Sequence, residues 1–481
     1  MAQTITDLRL QICRLELEID RQEANLSAKR SLLCELQSKL ARRNPTFPIL
    51  SLPPEITSEI FVHCLPEELA PANYNKAPFV LLRVCKAWNR VAMSTPALWT
   101  KVDLSRLDGR AIQTLECMSK RSGELLLDIR VNGYVPDGFW PLFAENSNRV
   151  QFLDVDLSTD NFGCLSACFP VFPVLEYLQL EDYANDQTLH LFNNAPSLRS
   201  LHLKNVDLSY MPLPFGNITT LIADIYYIDE IMRVLQALPN LRVLRYEQSE
   251  DDEEIHREPV SVFHTGLREV YLCEPHQDQL SVLRYLTLPN LDVLVFEQTA
   301  PDMKTMPLQR SLARAKPPLR RMGFRPGPDM RTLSIASMEM FFATPGLAEL
   351  ELAYLDNDSL YEFCDKFTAR TGSFLPEIRK LVLRCRYASP REAVKDEVEV
   401  ELRIFVSRVL DATEYRVVGT PAQPAGPVPP FELRIITEDT DFVGLASLSD
   451  VQAAQCRDLK SRGVSLWIGP ENRNLVLRAC V

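Results

Sequence analysis

Residues 238–246 read LPNLRVLRY, and this phrase recurs along most of the chain. In each copy a small or apolar residue and a proline precede the pattern L-x-x-L-x-L. The other clear copies are FPVLEYLQL, APSLRSLHL, LPNLDVLVF, TPGLAELEL and LPEIRKLVL, and the first leucine or isoleucine after each proline is taken as an anchor, namely Leu175, Leu198, Leu241, Leu291, Leu347 and Ile378. Recurrence of one phrase indicates a repeat architecture.

Weaker copies of the phrase fill the gaps, with anchors at Val150, Ile218, Leu267 and Leu319, so that successive anchors lie 20 to 31 residues apart. The L-x-L end of each copy is typical of a half-buried strand, and segments such as IDEIMRVLQALPN indicate a helix before the proline. Strand, helix and strand at this spacing stack into a parallel sheet with helices outside. Residues 106–481 are therefore predicted to form a divergent leucine-rich-repeat solenoid, a mixed α/β horseshoe.

The side chains between the buried leucines are expected to share the inner face of that sheet. Mixed polar and aromatic residues on such a face suit recognition of a protein, although most of them are expected to be merely solvated. The predicted contacts to a target protein are Tyr177, Gln179, His202, Lys204, Arg245, Tyr271 and Arg384.

The strand and helix pattern continues to the end of the chain. FELRIITED and VSLWIG indicate strands, and SLSDVQAAQCRDLKSRG between them indicates a helix closed by Gly463. The Pro-rich residues 421–430 are expected to form a surface loop within the array. The acidic run Glu250–Glu254 is expected to be another solvated loop.

The first residues carry an apolar period of seven. The a positions are Ile5, Ile12, Ile19, Leu26, Leu33 and Leu40, and the d positions are Leu8, Leu15, Gln22, Lys29 and Leu36. This register predicts a coiled-coil helix over residues 1–44, ended by Asn44 and Pro45. Such a helix either associates with another helix or folds back on its own chain. Self-association or docking on a partner is favoured, because no second heptad helix is evident downstream.

Residues 48–105 predict a compact helical unit. The segment LPPEITSEIFVHCL, residues 52–65, begins as a helix at its proline pair and carries an unusually wide apolar arc. A second helix is expected in PFVLLRVCKAWNRVAM, with Val80, Val84, Trp88 and Val91 on one line, followed by a short element in PALW. So small a unit holds more apolar surface than it can bury, which favours a binding partner.

The spacing of LPPEI, IF, VCKAW and PALW resembles the F-box, especially the form found in mushroom-forming fungi, where a heptad helix often precedes it. The resemblance implies docking onto the Skp adaptor of a cullin-based ubiquitin ligase. The residues that it implies for the adaptor face or its support are Leu52, Pro53, Ile56, Ile60, Phe61, Leu65, Leu82, Val84 and Trp88. Ile56, Trp88 and Phe61 could instead belong to the core of the unit, and both alternatives stay open at this point.

The sequence offers no constellation typical of catalysis. We find no GxxxxGK[ST], GxGxxG, G-x-S-x-G or HExxH, and the twelve cysteines show no CxxC pairs, so no enzyme activity, cofactor or metal is predicted. The net charge of −12 argues against nucleic acid as a partner. The basic stretch Lys304–Arg325 lacks interleaved aromatics apart from Phe324 and does not alter that prediction.

The function that these features predict is a substrate-recognition subunit of a Skp–cullin–F-box ubiquitin ligase, which binds the adaptor through residues 48–105 and a target protein through the repeats. The alternative is a non-catalytic scaffold that assembles complexes through the coiled coil and repeats without ligase activity. The sequence shows neither a signal peptide nor a membrane span, so an intracellular location in cytoplasm or nucleus, without membrane contact or secretion, is expected.

Overall fold

The structure is a computed structural model of the 481-residue chain. It describes residues 5–43, 52–66, 69, 75–105, 110–133, 135–136, 138–156, 165, 167–168, 170–181, 192–204, 206, 215–248, 259–274, 282–299, 302–303, 305–326, 333–335, 337–368, 374–385, 395–418, 430–437, 448–471 and 474–479. The predicted loops Glu250–Glu254 and 421–429 lie outside the described residues. The chain divides into two compact units, the first made of residues 1–100 and 120–123 and the second of residues 101–119 and 124–481.

The first unit is helical. Its elements are α1 (Ile5–Arg43), α2 (Pro54–His63), α3 (Leu81–Val84), α4 (Lys86–Met93) and a 3-10 helix at Pro96–Trp99. The N-terminal helix is confirmed, and it ends at Arg43, directly before Asn44 and Pro45. Six apolar residues of its predicted seam are at least half exposed, namely Ile12, Leu15, Ile19, Leu26, Leu33 and Leu36.

The single second helix expected through Val84 and Trp88 is wrong. The chain becomes extended at Cys85, with φ −161° and ψ 169°, which ends α3 after one turn. The Cys85 Sγ then accepts a hydrogen bond from the Trp88 amide at 3.5 Å and so caps the start of α4. Since the break changes the direction of the chain, Val84 and Trp88 do not share one helical line.

Two aromatic contacts organise the core of the first unit. The buried Trp99 donates from Nε1 to the Ala92 carbonyl at 3.0 Å, and the Arg121 guanidinium lies 4.4 Å from its ring centre. Phe61 packs on Trp88 with ring centres 4.9 Å apart. These contacts join α2, α4 and the 3-10 helix into one small core.

The second unit is built on a 14-stranded sheet in which all neighbouring strands are parallel and follow chain order. Its strands are β1 (Lys101–Asp103), β2 (Leu127–Val131), β3 (Val150–Asp156), β4 (Tyr177–Glu181), β5 (Ser200–Lys204), β6 (Thr220–Tyr226), β7 (Val243–Gln248), β9 (Glu269–Glu274), β11 (Val293–Thr299), β13 (Arg321–Pro326), β15 (Glu349–Ala353), β16 (Lys380–Cys385), β17 (Phe431–Thr437) and β18 (Val464–Gly469). Two short parallel pairs accompany it, β8 (Val262–Phe263) with β10 (Leu286–Thr287) and β12 (Asp302–Met303) with β14 (Ser334–Ile335). Every anchored phrase therefore supplies a strand, as expected.

The connections contain the helices α5 (Ala111–Ser122), α6 (Phe139–Asn146), α7 (Ile228–Ala237), α8 (Met306–Ala315), α9 (Asn357–Thr368), α10 (Lys395–Val418), α11 (Asp450–Ser461) and α12 (Leu475–Ala479). Short 3-10 helices lie at Ser147–Arg149, Phe215–Asn217, Val282–Arg284 and Met338–Ala343. An α-helix precedes the anchors Leu241, Leu319 and Ile378. The described residues before Leu291 and Leu347 instead contain a 3-10 helix together with a short extended segment, β10 or β14.

The anchors are buried, and after eight of the ten the carbonyl of the following residue accepts two hydrogen bonds from the next repeat. The carbonyl of Arg199, one position after Leu198, accepts hydrogen bonds from the amides of Thr219 and Thr220 in the next repeat. The same arrangement, at 2.8 to 3.1 Å, starts from Glu176, Thr219, Arg242, Arg268, Asp292, Arg320 and Ala348. Each repeat is therefore positioned by the one before it.

A ladder of polar side chains adds further hydrogen bonds between successive repeats. The residue before the anchor donates to a carbonyl two positions before the previous anchor, as in Asn240 Nδ2 to the Gly216 oxygen at 2.8 Å. Ser197, Asn217 and Asn290 make the equivalent bonds to Pro173, Pro196 and Thr265. The sequence signal was present as asparagine or serine directly before these anchors, but leucine spacing alone does not reveal it.

Candidate functional site

The first unit presents an apolar strip on α2. Ile56 is 51% exposed and Ile60 is 37% exposed, and their spacing of four residues places them on one side of the helix. The buried side of the same helix is formed by Thr57 and Phe61. We call Ile56 and Ile60 the α2 strip. Val84, at the end of α3, is 53% exposed as well.

The exposed fraction of each side chain shows whether it lies in the core of the unit or on its surface, the two alternatives that the sequence left open. Phe61 is 1% exposed and lies against Trp88, which places it in the core of the unit rather than on its surface. Ile56 is the opposite case, because half of its surface is free. Trp88 is half-buried and serves the core through Phe61 while keeping some exposed area. Leu52, Leu65 and Leu82 are also half-buried, and Pro53 is exposed.

A second candidate surface is the polar face of the sheet, defined by side chains that lie between the buried leucines. Four of the predicted target contacts meet there on β4 and β5. His202 Nδ1 lies 3.1 Å from Gln179 Oε1 and 3.3 Å from the Tyr177 hydroxyl, and Lys204 pairs with Glu181. The Tyr177 ring stacks on Phe152 with centres 4.4 Å apart. The four predicted contacts on β4 and β5 are thus close together in the structure.

Acidic groups surround this cluster and set its electrostatics. His202 Nε2 lies 2.6 Å from Asp224 Oδ2. Burial raises the pKa of the Asp154 carboxyl, although a hydrogen bond from Arg130 opposes that shift. Burial, followed by the carboxylates of Asp154 and Asp224, raises the pKa of Tyr177 to about 12. The phenol therefore stays protonated and can serve as a hydrogen-bond donor.

The remaining predicted contacts lie elsewhere on the polar face. Arg245 on β7 pairs with Glu297 at 2.7 Å, and the Tyr271 hydroxyl on β9 donates to Glu269 at 3.0 Å. Arg384 on β16 belongs to a separate cluster, in which it contacts Glu351 at 2.7 Å.

Sequence reasoning singled out Arg384 but missed the partners around it, Glu351, Arg325 and Arg434. The available signal was the charged residues between the leucines of TPGLAELEL and FELRIIT, which neighbouring strands bring together.

Within the described residues, no group of three histidine, cysteine or acidic side chains is placed to hold a metal ion. The cysteines among them are free thiols, and burial raises the pKa of both Cys273 and Cys364 to about 12. A search of the described helices finds none that is long and apolar enough to cross a membrane. The two surfaces thus offer apolar and polar contacts, which suit binding of other proteins.

Comparison with known proteins gives a family match for part of the first unit. The F-box-like family matches residues 49–105, which include α2, α3, α4 and the 3-10 helix after them. The curated proteins contain no match to the chain. The match supports an F-box protein, and F-box domains generally bind the Skp adaptor of Skp–cullin–F-box ubiquitin ligases.

Proposed function

We propose that this protein is the substrate-recognition subunit of a Skp–cullin–F-box ubiquitin ligase and is itself not catalytic. The observation that carries the proposal is the F-box-like domain at 49–105, whose helix α2 leaves Ile56 and Ile60 exposed. Burying two such side chains against an adaptor would contribute about 1 to 2 kcal/mol each, given their present partial exposure. The proposed site of action is the cytoplasm or nucleus.

The second half of the proposal is that residues 106–481 form divergent leucine-rich repeats that bind a target protein through the polar face. Three features support the repeat assignment. They are the parallel strands in chain order, the paired carbonyl hydrogen bonds after eight of the ten anchors, and the ladder of polar side chains that includes Asn217 and Asn240. The cluster of Tyr177, Gln179 and His202 supplies donors and acceptors of the kind that recognise polar groups on a partner.

A scaffold without ligase activity is the second candidate. The observation that favours it is the length of α1 and the exposure of its apolar seam, which suit assembly with another helix. The two candidates make different predictions for the cullin, because a scaffold has no need to recruit it.

Capture of purified adaptor and cullin by the full chain tests the proposal. We expect the double substitution Ile56→Asp and Ile60→Asp to weaken adaptor binding by about thirtyfold or more, since buried charges oppose an apolar interface. Val451→Asp is the matched control, because Val451 is 70% exposed at the start of α11 in the second unit. Deletion of residues 48–105 should abolish capture altogether.

Three results would count against the proposal. If adaptor binding survives the Ile56 and Ile60 substitutions, the α2 strip is not part of the interface. If adaptor binding survives deletion of 48–105, the F-box-like domain does not form the interface with the adaptor. Capture of the adaptor without the cullin would favour the scaffold.

A further inference from the structure

A cavity of about 220 Å³ opens on the polar face where β13, β15, β16 and β17 run side by side. Its walls carry five cationic side chains, which is a concentration not found on strands β1 to β11 among the described residues. The cations are Arg321, Arg325, Lys380, Arg384 and Arg434, and the carboxylates Glu349, Glu351 and Glu471 share the lining with them.

Two of the five cations are already engaged at short range. Glu351, which is 8% exposed, accepts from Arg325 at 3.1 and 2.9 Å and from Arg384 at 2.7 Å. Arg384 also donates to Glu471 at 2.8 Å. Burial would raise the pKa of Glu351, but the hydrogen bonds from Arg325 and Arg384 outweigh it and lower the pKa. Glu351 is therefore an internal anion that fixes these two arginines in place.

The other three cations are held loosely. Arg321 Nε lies 4.0 Å from Glu349, and Lys380 Nζ lies 3.7 Å from Glu432. Arg434 Nε is buried and has no hydrogen-bond partner in the part of the chain that the structure describes, its nearest carboxylate being Glu432 at 3.9 Å. Charge-assisted hydrogen bonds are normally about 2.7 to 2.9 Å long, so these three groups have donor capacity left for a ligand.

The charge balance limits what that ligand can be. Among the described residues, the five cations face four carboxylates, those of Glu349, Glu351, Glu471 and the neighbouring Glu432, which leaves a net charge of about +1. One carboxylate neutralises this excess, whereas a phosphate group of about −1.5 to −2 would add uncompensated negative charge beside four acidic side chains. A planar carboxylate also matches the fork of an arginine.

We propose that this cavity binds a single aspartate or glutamate side chain of the target, with Arg321, Lys380 and Arg434 as its donors. This inference rests on the proposed function, since it concerns the target that the polar face would recognise.

Selection from a peptide library on the immobilised full chain tests the inference. The library contains matched sets that differ at one position as glutamate, glutamine, lysine or phosphoserine. We expect the glutamate peptides to be enriched about tenfold over their glutamine counterparts, and Lys380→Gln with Arg434→Gln to abolish the difference. Arg320→Gln is the control, because Arg320 directly precedes Arg321 and is 76% exposed but does not line the cavity. The preference should persist in it.

A charge-reversal variant distinguishes a change in the site from loss of folding. Lys380→Glu should shift the selection toward lysine peptides, a gain that a misfolded chain cannot produce. Equal recovery of glutamate and glutamine peptides, or preference for phosphoserine, would each overturn the inference. Adaptor capture is measured on the same variants. A normal peptide preference with no adaptor binding would defeat the proposed function while leaving the carboxylate site intact.

Discussion

Neighbouring residues on α2 have opposite roles. Ile60 is 37% exposed, whereas Phe61, one position later, is 1% exposed and packs on Trp88. Successive residues of a helix point about 100° apart, so one apolar arc can supply both a core contact and an exposed contact. The width of this arc, visible in the sequence, reflects these two roles.

Phe61→Ala should therefore act on stability and Ile60→Ala on adaptor binding. Removal of the buried ring is expected to cost about 3 to 5 kcal/mol, because a cavity remains where it packed. Hydrogen exchange of the full chain should show faster exchange in residues 54–63. The matched Ile60→Ala substitution should leave that exchange nearly unchanged. A Phe61→Ala chain with native exchange and weakened adaptor binding would contradict this division.

Glu351 gives the sheet a defined response to acid. Its pKa is lowered from 4.5, so its stabilising contribution is complete above that value and is lost as the pH falls through the lower folded pKa. Glu351→Gln should reduce stability at pH 7 by about 2 kcal/mol. The same substitution should also flatten the loss of stability below pH 4.5. Denaturant unfolding from pH 7 to pH 3 measures both effects.

Glu349→Gln is the control for this titration. Glu349 lies on the same strand, but it is half exposed and its ion pair with Arg321 spans 4.0 Å. We expect no more than about 0.5 kcal/mol from this substitution at either pH. An acid response of the same size in both variants would show that Glu351 has no special role.

At the scale of single elements, α1 is the clearest case of a surface without an assigned partner. Its predicted a and d positions include Ile12, Leu15 and Leu33, each more than half exposed. An isolated helix of this kind gains stability when its seam packs on another helix. The coiled coil remains a prediction, because the structure contains one chain.

Ile12→Asp with Leu33→Asp should convert a self-associated species into a monomer, since both changes place charges in the seam. Sedimentation of the full chain measures the change in mass. Leu17→Asp is the matched control, because Leu17 is 70% exposed on α1 but lies outside the a and d positions. An unchanged mass in the seam variant would mean that α1 does not mediate association.

At the scale of the whole second unit, the order of strands determines how a local change spreads. Each strand of the main sheet contacts the strands that flank it in the chain, as β17 contacts β16 and β18. Stability in such an array is close to a sum of local and nearest-neighbour contributions. Distant strands therefore have little direct influence on each other.

Ile468→Ala on β18 tests this locality. Ile468 is fully buried, and truncation is expected to cost about 2 to 4 kcal/mol. Hydrogen exchange should accelerate in β17 and β18 but stay unchanged in β4 and β5. Uniform acceleration through all strands would instead show that the unit unfolds as a single cooperative body.

The sequence by itself determined the periodic features of this protein. Leucine spacing located the strands of the main sheet from β3 to β16, the heptads located α1, and LPPEI with PALW located the F-box-like domain. These features are local, since each depends on residues within one turn, one strand or one repeat. Burial of the anchors then follows directly from their period.

Tertiary structure alone decided which charged and aromatic side chains meet. Arg325, Glu351 and Arg384 are separated by 26 and 33 residues, and only the parallel register of β13, β15 and β16 brings them together. The same holds for Phe61, whose burial depends on the position of Trp88 after the break at Cys85. The periodicity of a helix or strand determines which way each of its side chains points. The residue that the side chain then contacts is determined by packing between elements.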